Sequence, residues 1–335
     1  LKIAVDAMGG DHAPREIVKG ALEAIRQFHQ EVILVGDEEL IRQELAGEQS
    51  ESLSIVHAPE VIAMSDSPVV AVRRKKNSSL VKAVQLVKEG VADAVVSAGN
   101  TGAVMAAGVL LLGPIPGIDR PAIATMIPNK KGKTLLLDAG ANVDCKPAHL
   151  LQFGLMGYLY MKEIIGIGRP KVGLLSIGEE ETKGNELTLA AFQLLRKAEI
   201  NFVGNVEGRD IFEGTADVIV CDGFTGNIVL KASEGMVTAL LAMAKDEIRR
   251  SLPARVGMAM LMPALRSFWR KLDYAEYGGA PLLGLNGIVI ICHGRSQARA
   301  IRNAIRAGRE SVENNLVLAI KNCIQQSLNQ KVGQI

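Results

Sequence analysis

The chain has 335 residues, 48% of them apolar, only 4% aromatic, and 34 glycines. That is enough for two domains or one large α/β unit, with small side chains suited to close packing of helix on sheet. Thirty-eight Lys and Arg against 36 Asp and Glu leave a formal charge of +2, too near balance for a nucleic-acid binder. Cys145, Cys221, Cys292 and Cys323 show no Cys-x-x-Cys spacing and sit in or beside apolar runs, so reduced thiols of a cytoplasmic protein are expected, not a disulfide or zinc framework. Leu1 opens almost directly into a strand pattern, so no signal peptide is expected. The longest apolar run, 103–112, is too short for a membrane span.

Residues 2–5 read as a first strand. The loop after it carries Asp6, Gly9, Gly10, Asp11 and His12, and Pro14 stands in the first turn of a helix through Val18, Ala21, Leu22, Ile25 and Phe28. A Gly-Gly loop between two aspartates at a strand end is where open α/β sheets hold ligands. Strands at 32–35 and 53–57 follow, with Asp37 capping a short helix between them, and this βαβαβ rhythm predicts a parallel sheet. Arg73, Arg74, Lys75 and Lys76 form either a solvated surface or a docking patch for an acidic partner. Ser78 or Ser79 caps a helix through Leu80, Val81, Val84 and Val87, which Gly90 ends.

One stretch then occurs twice, at 92–104 and 216–228: a β-branched apolar run that stops at Gly-x-Thr-Gly and restarts in a helical pattern. Each copy is either a tight turn or an anion site. Glycine lets backbone approach a ligand, and the first helical turn offers unpaired N–H groups and partial positive charge. The copies differ, because Asp222 and Asn227 stand where the first has Ala98 and Ala103.

Between the copies, 121–127 and 133–137 form a hairpin, after which Asp138, Gly140, Asn142, Asp144 and Cys145 lead to a helix from Pro147. Those side chains could bind a metal, orient a substrate or cap the helix. Cys145 as a nucleophile lacks a local histidine partner, His149 lying on the next helix. A strand at 172–177 ends in Glu179, Glu180 and Glu181, whose repulsion suggests a functional loop, with Lys183 as the cation able to meet an anion and Glu186 near a helix start. A strand at 202–206 precedes the second copy, whose helix runs on through Val229, Met236, Leu240, Leu241, Ile248 and Arg250.

Residues 253–272 place Met258, Leu261, Met262, Leu265, Phe268, Trp269 and Leu272 on one helical face, flanked by Arg255, Arg266 and Arg270. This fits a membrane-surface helix or a helix packed on a neighbouring subunit, and Pro263 bends or divides it. A glycine-rich stretch at 278–287, a strand at 288–292, His293-Gly294 and a closing helix complete the chain. Arg299, Arg302, Arg306 and Arg309 form a basic stripe on that helix, a solvated face or a second surface for an acidic partner.

Taken as an ordered set, 6–11, 97–103, 137–145, 177–184, 221–227 and 279–294 closely resemble the bacterial phosphate acyltransferases, which make acyl phosphate from acyl-(acyl carrier protein) and inorganic phosphate for phospholipid synthesis. The resemblance implies one three-layer α/β/α unit over 1–335. It would be of the isocitrate and isopropylmalate dehydrogenase-like type, with a mostly parallel sheet and an amphipathic helical excursion at 251–277. It implies no cofactor and no metal, since phosphate is already a nucleophile and a thioester is activated, leaving the enzyme to position both and stabilise the oxyanion.

The implied site has Gly99, Asn100, Thr101 and Gly102 holding phosphate. Lys183 neutralises charge, Asn227 donates to the oxyanion, and Asp222 joins them. Asp6, Gly9, Gly10, Asp138, Asn142, Asp144, Glu186, Gly223 and Gly226 orient the substrates. The implied partners are an acidic acyl carrier protein, the inner face of the cell membrane, a second copy of the chain, and a functional link to a membrane glycerol-3-phosphate acyltransferase. The rival is an NAD- and metal-dependent decarboxylating dehydrogenase built on Asp138, Asp144 and Asp222. It lacks a Gly-x-Gly-x-x-Gly fingerprint and an arginine cluster near these loops.

Overall fold

Side chains along a strand alternate between faces, and the first strand divides its residues accordingly: Ile3 and Val5 enter one apolar cluster, Ala4 another. The same alternation marks Ala94 and Val96 against Val95, and Ile288 and Ile290 against Val289 and Ile291. Both faces are therefore buried, and helices cover both. These features come from a computed structural model that describes residues 1–249, 251, 253, 257, 258, 260–262 and 278–332.

The elements are β1 (Lys2–Asp6), α1 (Arg15–Phe28), β2 (Glu31–Gly36), α2 (Glu38–Leu45), β3 (Leu53–His57), α3 (Pro68–Arg74), α4 (Ser79–Lys88), β4 (Ala94–Ser97) and α5 (Thr101–Ala107), which a π-helical turn (Gly108–Leu112) extends. Next come β5 (Ala122–Asn129), β6 (Gly132–Leu137), α6 (Pro147–Leu159), β7 (Lys171–Leu175), α7 (Glu186–Arg196), β8 (Asn201–Val206), α8 (Gly208–Glu213), β9 (Val218–Val220) and α9 (Gly223–Arg249). The chain closes with β10 (Ala280–Leu283), β11 (Ile288–Ile291), α10 (Ala298–Glu313) and α11 (Leu316–Val332). The described strands form one sheet in the order β3-β2-β1-β4-β11-β10-β5-β6-β9-β7-β8.

Strands β3, β2, β1, β4 and β11 are mutually parallel, as are β6, β9, β7 and β8, and the pairings of β10 and β5 between them are antiparallel. The two parallel blocks consequently run in opposite senses. Strand β10 has no counterpart in the sequence reading, which left 278–287 as a glycine-rich connection. It is short, contains Pro281, and changes partner midway: Ala280 and Pro281 pair with β11, Leu282 and Leu283 with β5. A proline normally argues against a central strand, and here it sits at the hand-over.

Asp37 caps α2 through Glu39 and Leu40 N–H, as read from sequence, and of the two serines offered for α4 it is Ser78 that caps, through Val81 N–H. The closing helix is instead two helices, broken at Asn314-Asn315, where Asn315 takes a positive φ of 51°. Its basic stripe is not a free solvated face. Arg302 meets Glu23 at 3.5 Å with its side chain only 18% exposed, Arg306 meets Glu310, and Arg309 bonds both Glu313 and the Phe28 carbonyl.

Helix α9 is the reverse case: Met236, Val237, Leu240, Leu241 and Met243 are all exposed. Its length and apolar composition would suffice to cross a membrane, which the sequence reading credited to no segment. Of the amphipathic face read at 253–272, Leu261 and Met262 are exposed and Met258 half-buried. Leu265, Phe268, Trp269 and Leu272 lie outside the described residues, as do Arg255, Arg266 and Arg270.

Candidate active site

Register brings the chemistry-bearing loops together in two groups. Val5 stands opposite Val96, which stands opposite Ile290, so the loops after β1, β4 and β11 leave the sheet at one level. Leu137 stands opposite Val220, which stands opposite Leu174, so the loops after β6, β9 and β7 do the same in the other block. Strands β4 and β9 lie five places apart, roughly 24 Å at about 4.8 Å per step, and point in opposite senses. The two groups approach through their helices. Ala103 and Val104 of α5, Ala139 and Ala141 of the loop after β6, and Leu230 of α9 share one apolar cluster.

In the first group Asp6 is buried. Ser97 Oγ–H donates to its Oδ2 at 2.7 Å, and the same Ser97 oxygen accepts from Gly99 N–H at 3.1 Å. Burial pushes the Asp6 pKa above the ordinary carboxylate value, against the pull of hydrogen bonds from Ser79, Ser97 and the Met8 and Gly9 backbone. Gly9 is required by space: a Cβ there would stand 2.5 Å from Asp6 Oδ2 and 2.8 Å from Gly99 N. Gly10, at φ 105°, packs between the Ala98 and Gly294 carbonyls. Asp6, Gly9 and Gly10 thus set the backbone from beneath and do not themselves face outward.

Asn100 is the N-cap of α5, its Oδ1 accepting from Ala103 N–H at 3.1 Å. Its Nδ2 donates to the Met64 carbonyl at 3.0 Å and the Asp66 carbonyl at 3.2 Å, which holds the 63–66 loop over the turn. The Asn100 side chain and the Gly99 N–H are therefore engaged within the protein. The Thr101 and Gly102 N–H groups, with the exposed Thr101 hydroxyl, have no protein partner among the described residues.

In the second group Asp138 is wholly buried and saturated. Its Oδ1 accepts from Ile123, Gly140 and Ala141 N–H, and its Oδ2 from Asn142 N–H at 2.6 Å and Asn142 Nδ2 at 2.9 Å. Burial still leaves its pKa raised. Gly223 lies so close that a Cβ would stand 2.7 Å from Asp138 Oδ2 and from the Asn142 backbone, and a Cβ at Gly226 would collide with the Asp138 carbonyl. Asp222 spends both carboxylate oxygens on Thr225, accepting its N–H at 2.8 Å and its O–H at 2.7 Å. Asp222 is thus a helix cap by geometry.

Lys183 and Asn227 are different. Both are exposed, and neither side chain has a hydrogen-bond or ion-pair partner among the described residues. Asp144 and Glu186 are exposed as well, Glu186 in the first turn of α7, where Asn185 provides the cap. The glutamate run is less anomalous than its sequence suggests, because Glu179 pairs with Arg209 at 2.9 Å and Glu181 with Arg196 at 3.1 Å. Around this group Val143, Ile177, Phe224 and Ile228 are exposed, Ile177 at 80%. Cys145 is a poor nucleophile here. Burial pushes its thiol up to about 11, and His149 Nδ1, its nearest sequence candidate for a base, accepts from Lys146 N–H instead.

Sequence reasoning gave Ser97, Ser79 and Thr225 no part in the site, yet these small hydroxyls hold Asp6, Gly99 and Asp222. A polar residue closing an apolar strand, as Ser97 closes β4, was the available signal. Among the described residues no three His, Cys, Asp or Glu side chains are grouped as metal ligands. Two of the three aspartates of the dehydrogenase reading already have their partners, Asp138 in backbone amides and Asp222 in Thr225.

A mostly parallel sheet with helices on both faces and glycine turns at the strand ends defines an α/β protein of the class that holds ligands at its strand ends. Comparison with known proteins narrows this. Residues 1–319 match the family described as "Fatty acid synthesis protein". The chain is 66% identical over 326 residues to the phosphate acyltransferase of Pelotomaculum thermopropionicum, covering 97% of this chain and 95% of that one. With the phosphate acyltransferase of Desulforamulus reducens the identity is 59%, over 97% and 98%. The chain belongs to the phosphate acyltransferase family, and it is an acyltransferase.

Two solved structures share the fold. A phosphotransacetylase from Streptococcus pyogenes superposes with a TM-score of 0.65 at 18% identity, covering 93% of this chain and 94% of that one. A 4-hydroxythreonine-4-phosphate dehydrogenase from Klebsiella pneumoniae does so with a TM-score of 0.53 at 15% identity, covering 93% and 99%.

Proposed function

We propose that the protein transfers a long-chain acyl group from acyl-(acyl carrier protein) to inorganic phosphate, giving acyl phosphate for membrane phospholipid synthesis. The observation that carries this beyond family membership is the second loop group. A cation, Lys183, and an amide, Asn227, both without a side-chain partner among the described residues, stand among exposed apolar side chains at Val143, Ile177, Phe224 and Ile228. That mixture suits a negatively charged reacting centre joined to an alkyl chain.

In this reading the N–H groups of Thr101 and Gly102 hold phosphate, with Asn100 and Gly99 fixing the loop that presents them. A phosphate oxygen attacks the thioester carbon, and the carbonyl becomes a tetrahedral oxyanion. Collapse breaks the carbon–sulfur bond, and the departing thiolate takes up the proton that hydrogen phosphate releases. Lys183 neutralises the developing charge and Asn227 donates to the oxyanion. Asp6, Gly9, Gly10, Asp138, Asn142, Gly223 and Gly226 hold these donors in place through the contacts described above. Asp222 acts through the first turn of α9, and Asp144 and Glu186 border the substrate path. The fold type is that of the isocitrate and isopropylmalate dehydrogenases, used here without cofactor.

The unburied apolar length of α9 supports a second copy of the chain packed on it. The exposed Leu261 and Met262, continuing toward Leu265, Phe268 and Trp269 in sequence, support peripheral contact with the inner face of the cell membrane. There the product would pass to a glycerol-3-phosphate acyltransferase. The decisive experiment incubates the protein with palmitoyl-(acyl carrier protein) and phosphate and traps acyl phosphate with hydroxylamine. Hydroxamate above the enzyme-free control is the expected result, and its absence overturns the reading.

A further inference from the structure

Two basic surfaces stood as candidates for meeting an acidic partner, and the fold separates them. The α10 arginines are committed inside the protein: Arg302 to Glu23, Arg306 to Glu310, Arg309 to Glu313 and the Phe28 carbonyl, and Arg299 is engaged as well. In the other run only Lys75 is committed, to Asp66 at 2.6 Å and the Val61 carbonyl at 2.9 Å. Arg73, Arg74 and Lys76 are exposed, with no hydrogen-bond or ion-pair partner among the described residues.

Their helix carries more than charge. In α3, Ala71 and Val72 are buried, so Val69 and Val70 are left on the outer face, each 47% exposed, one turn before Arg73 and Arg74 respectively. Met64, 52% exposed, extends the apolar strip. The Lys75–Asp66 pair ties the base of the strip together, so the cations around it are presented on a fixed frame. A basic rim around exposed apolar side chains is the composition of a protein docking site, in which charge guides encounter and the apolar centre is buried on contact.

The position links this surface to the site. Asn100 Nδ2 bonds the Met64 and Asp66 carbonyls, and a Cβ on Gly102 would stand 2.7 Å from Pro68 Cγ, so α3 and its leading loop rest directly on the turn that offers the Thr101 and Gly102 N–H groups. We infer that an acidic carrier protein docks on α3, with acidic side chains on Arg73, Arg74 and Lys76 and an apolar contact on Val69, Val70 and Met64. Its thioester is thereby delivered over the N-terminus of α5. This rests on the acyl-carrier reading above and adds where the carrier sits.

The test compares two acyl donors: palmitoyl-(acyl carrier protein) and the palmitoyl thioester of pantetheine, which has no protein to dock. In Arg73→Glu/Arg74→Glu, KM for the carrier donor should rise at least about tenfold at low salt, with a weaker salt dependence than wild type. The same variant should use the pantetheine thioester at the wild-type rate, and Arg306→Gln should leave both donors unchanged. An unchanged KM for the carrier donor overturns the inference. So does equal loss with both donors, which would mean damage to the α5 turn, and so does a change of oligomeric state without a change in carrier affinity. Direct titration of unacylated carrier protein against wild type and the double variant reads the surface even if the transfer reaction fails. Absence of acyl phosphate from wild type with both donors would overturn the reaction assignment, while a lost titration in the variant alone would still support the docking surface.

Discussion

The two Gly-x-Thr-Gly turns share a sequence pattern and differ in almost everything the fold does with them. At the first, the asparagine side chain caps the helix and holds a covering loop, and the Thr101 and Gly102 N–H groups have no partner among the described residues. At the second, the glycines are pressed against Asp138 and Asn142, and the aspartate before them is consumed by Thr225. The first turn is open and the second is a packing joint, beside which Lys183 and Asn227 stand exposed. A glycine motif therefore says that backbone comes close to something, and only the surroundings say whether that is a ligand or the protein itself.

The sharpest way to break this contrast is Gly226→Ala. Its Cβ collides with the Asp138 carbonyl, and the backbone has no flexible atom to move aside, so a loss of about 3 kcal/mol in urea denaturation is expected. Wild-type stability would show that the second turn is not tightly packed. Lys183→Ala should lower turnover roughly 10²-fold. Being exposed and unpartnered, Lys183 should leave stability within about 0.5 kcal/mol. Equal loss of both quantities would make it a structural residue.

Asn100→Ala removes the cap and the ties to the 63–66 loop, so about 1 kcal/mol of stability should go, together with a raised KM for phosphate. A normal KM would sever that turn from phosphate. Asp6→Asn is a subtler probe. The folded pKa of Asp6 lies above its ordinary value of 3.8, so its contribution is fully present below that pH and is lost as pH rises through the folded value. Denaturation midpoints of wild type should thus fall relative to the variant as pH rises from about 4, and parallel curves would contradict the burial of an ionisable group there. Cys145→Ala should leave turnover unchanged, because its thiol is pushed up to about 11. Abolished hydroxamate formation would restore the nucleophile that the geometry argues against.

Much of this was legible in residue order. Short apolar runs at 2–5 and 32–35, caps at Asp37 and Ser78, and apolar runs stopping at glycine gave the parallel βα units and both loop groups, because these signals are local. Lys183 stood out because it is the cation beside three glutamates, and its side chain has no partner among the described residues. Strand β10 was hidden because it is four residues long, contains Pro281 and is bounded by glycines, so nothing local distinguishes it from a loop. Its pairing partners are 9 to 11 positions away on one side and about 160 on the other.

Sequence by itself determined where the strand-end glycine loops and helix starts fall, since strand ends, glycines and caps are written in neighbouring residues. Tertiary structure decided which side chains are spent and which remain available. Asp138 and Asp222 look as reactive on paper as Lys183 and Asn227, and Arg302 looks as free as Arg73. The difference is made by hydrogen-bond and ion-pair partners: Thr225 and residues 140–142 lie close in the chain to Asp222 and Asp138, whereas Ile123 on Asp138 and Glu23 on Arg302 are brought by packing. A polar group's availability is what remains after the fold has satisfied its own donors and acceptors.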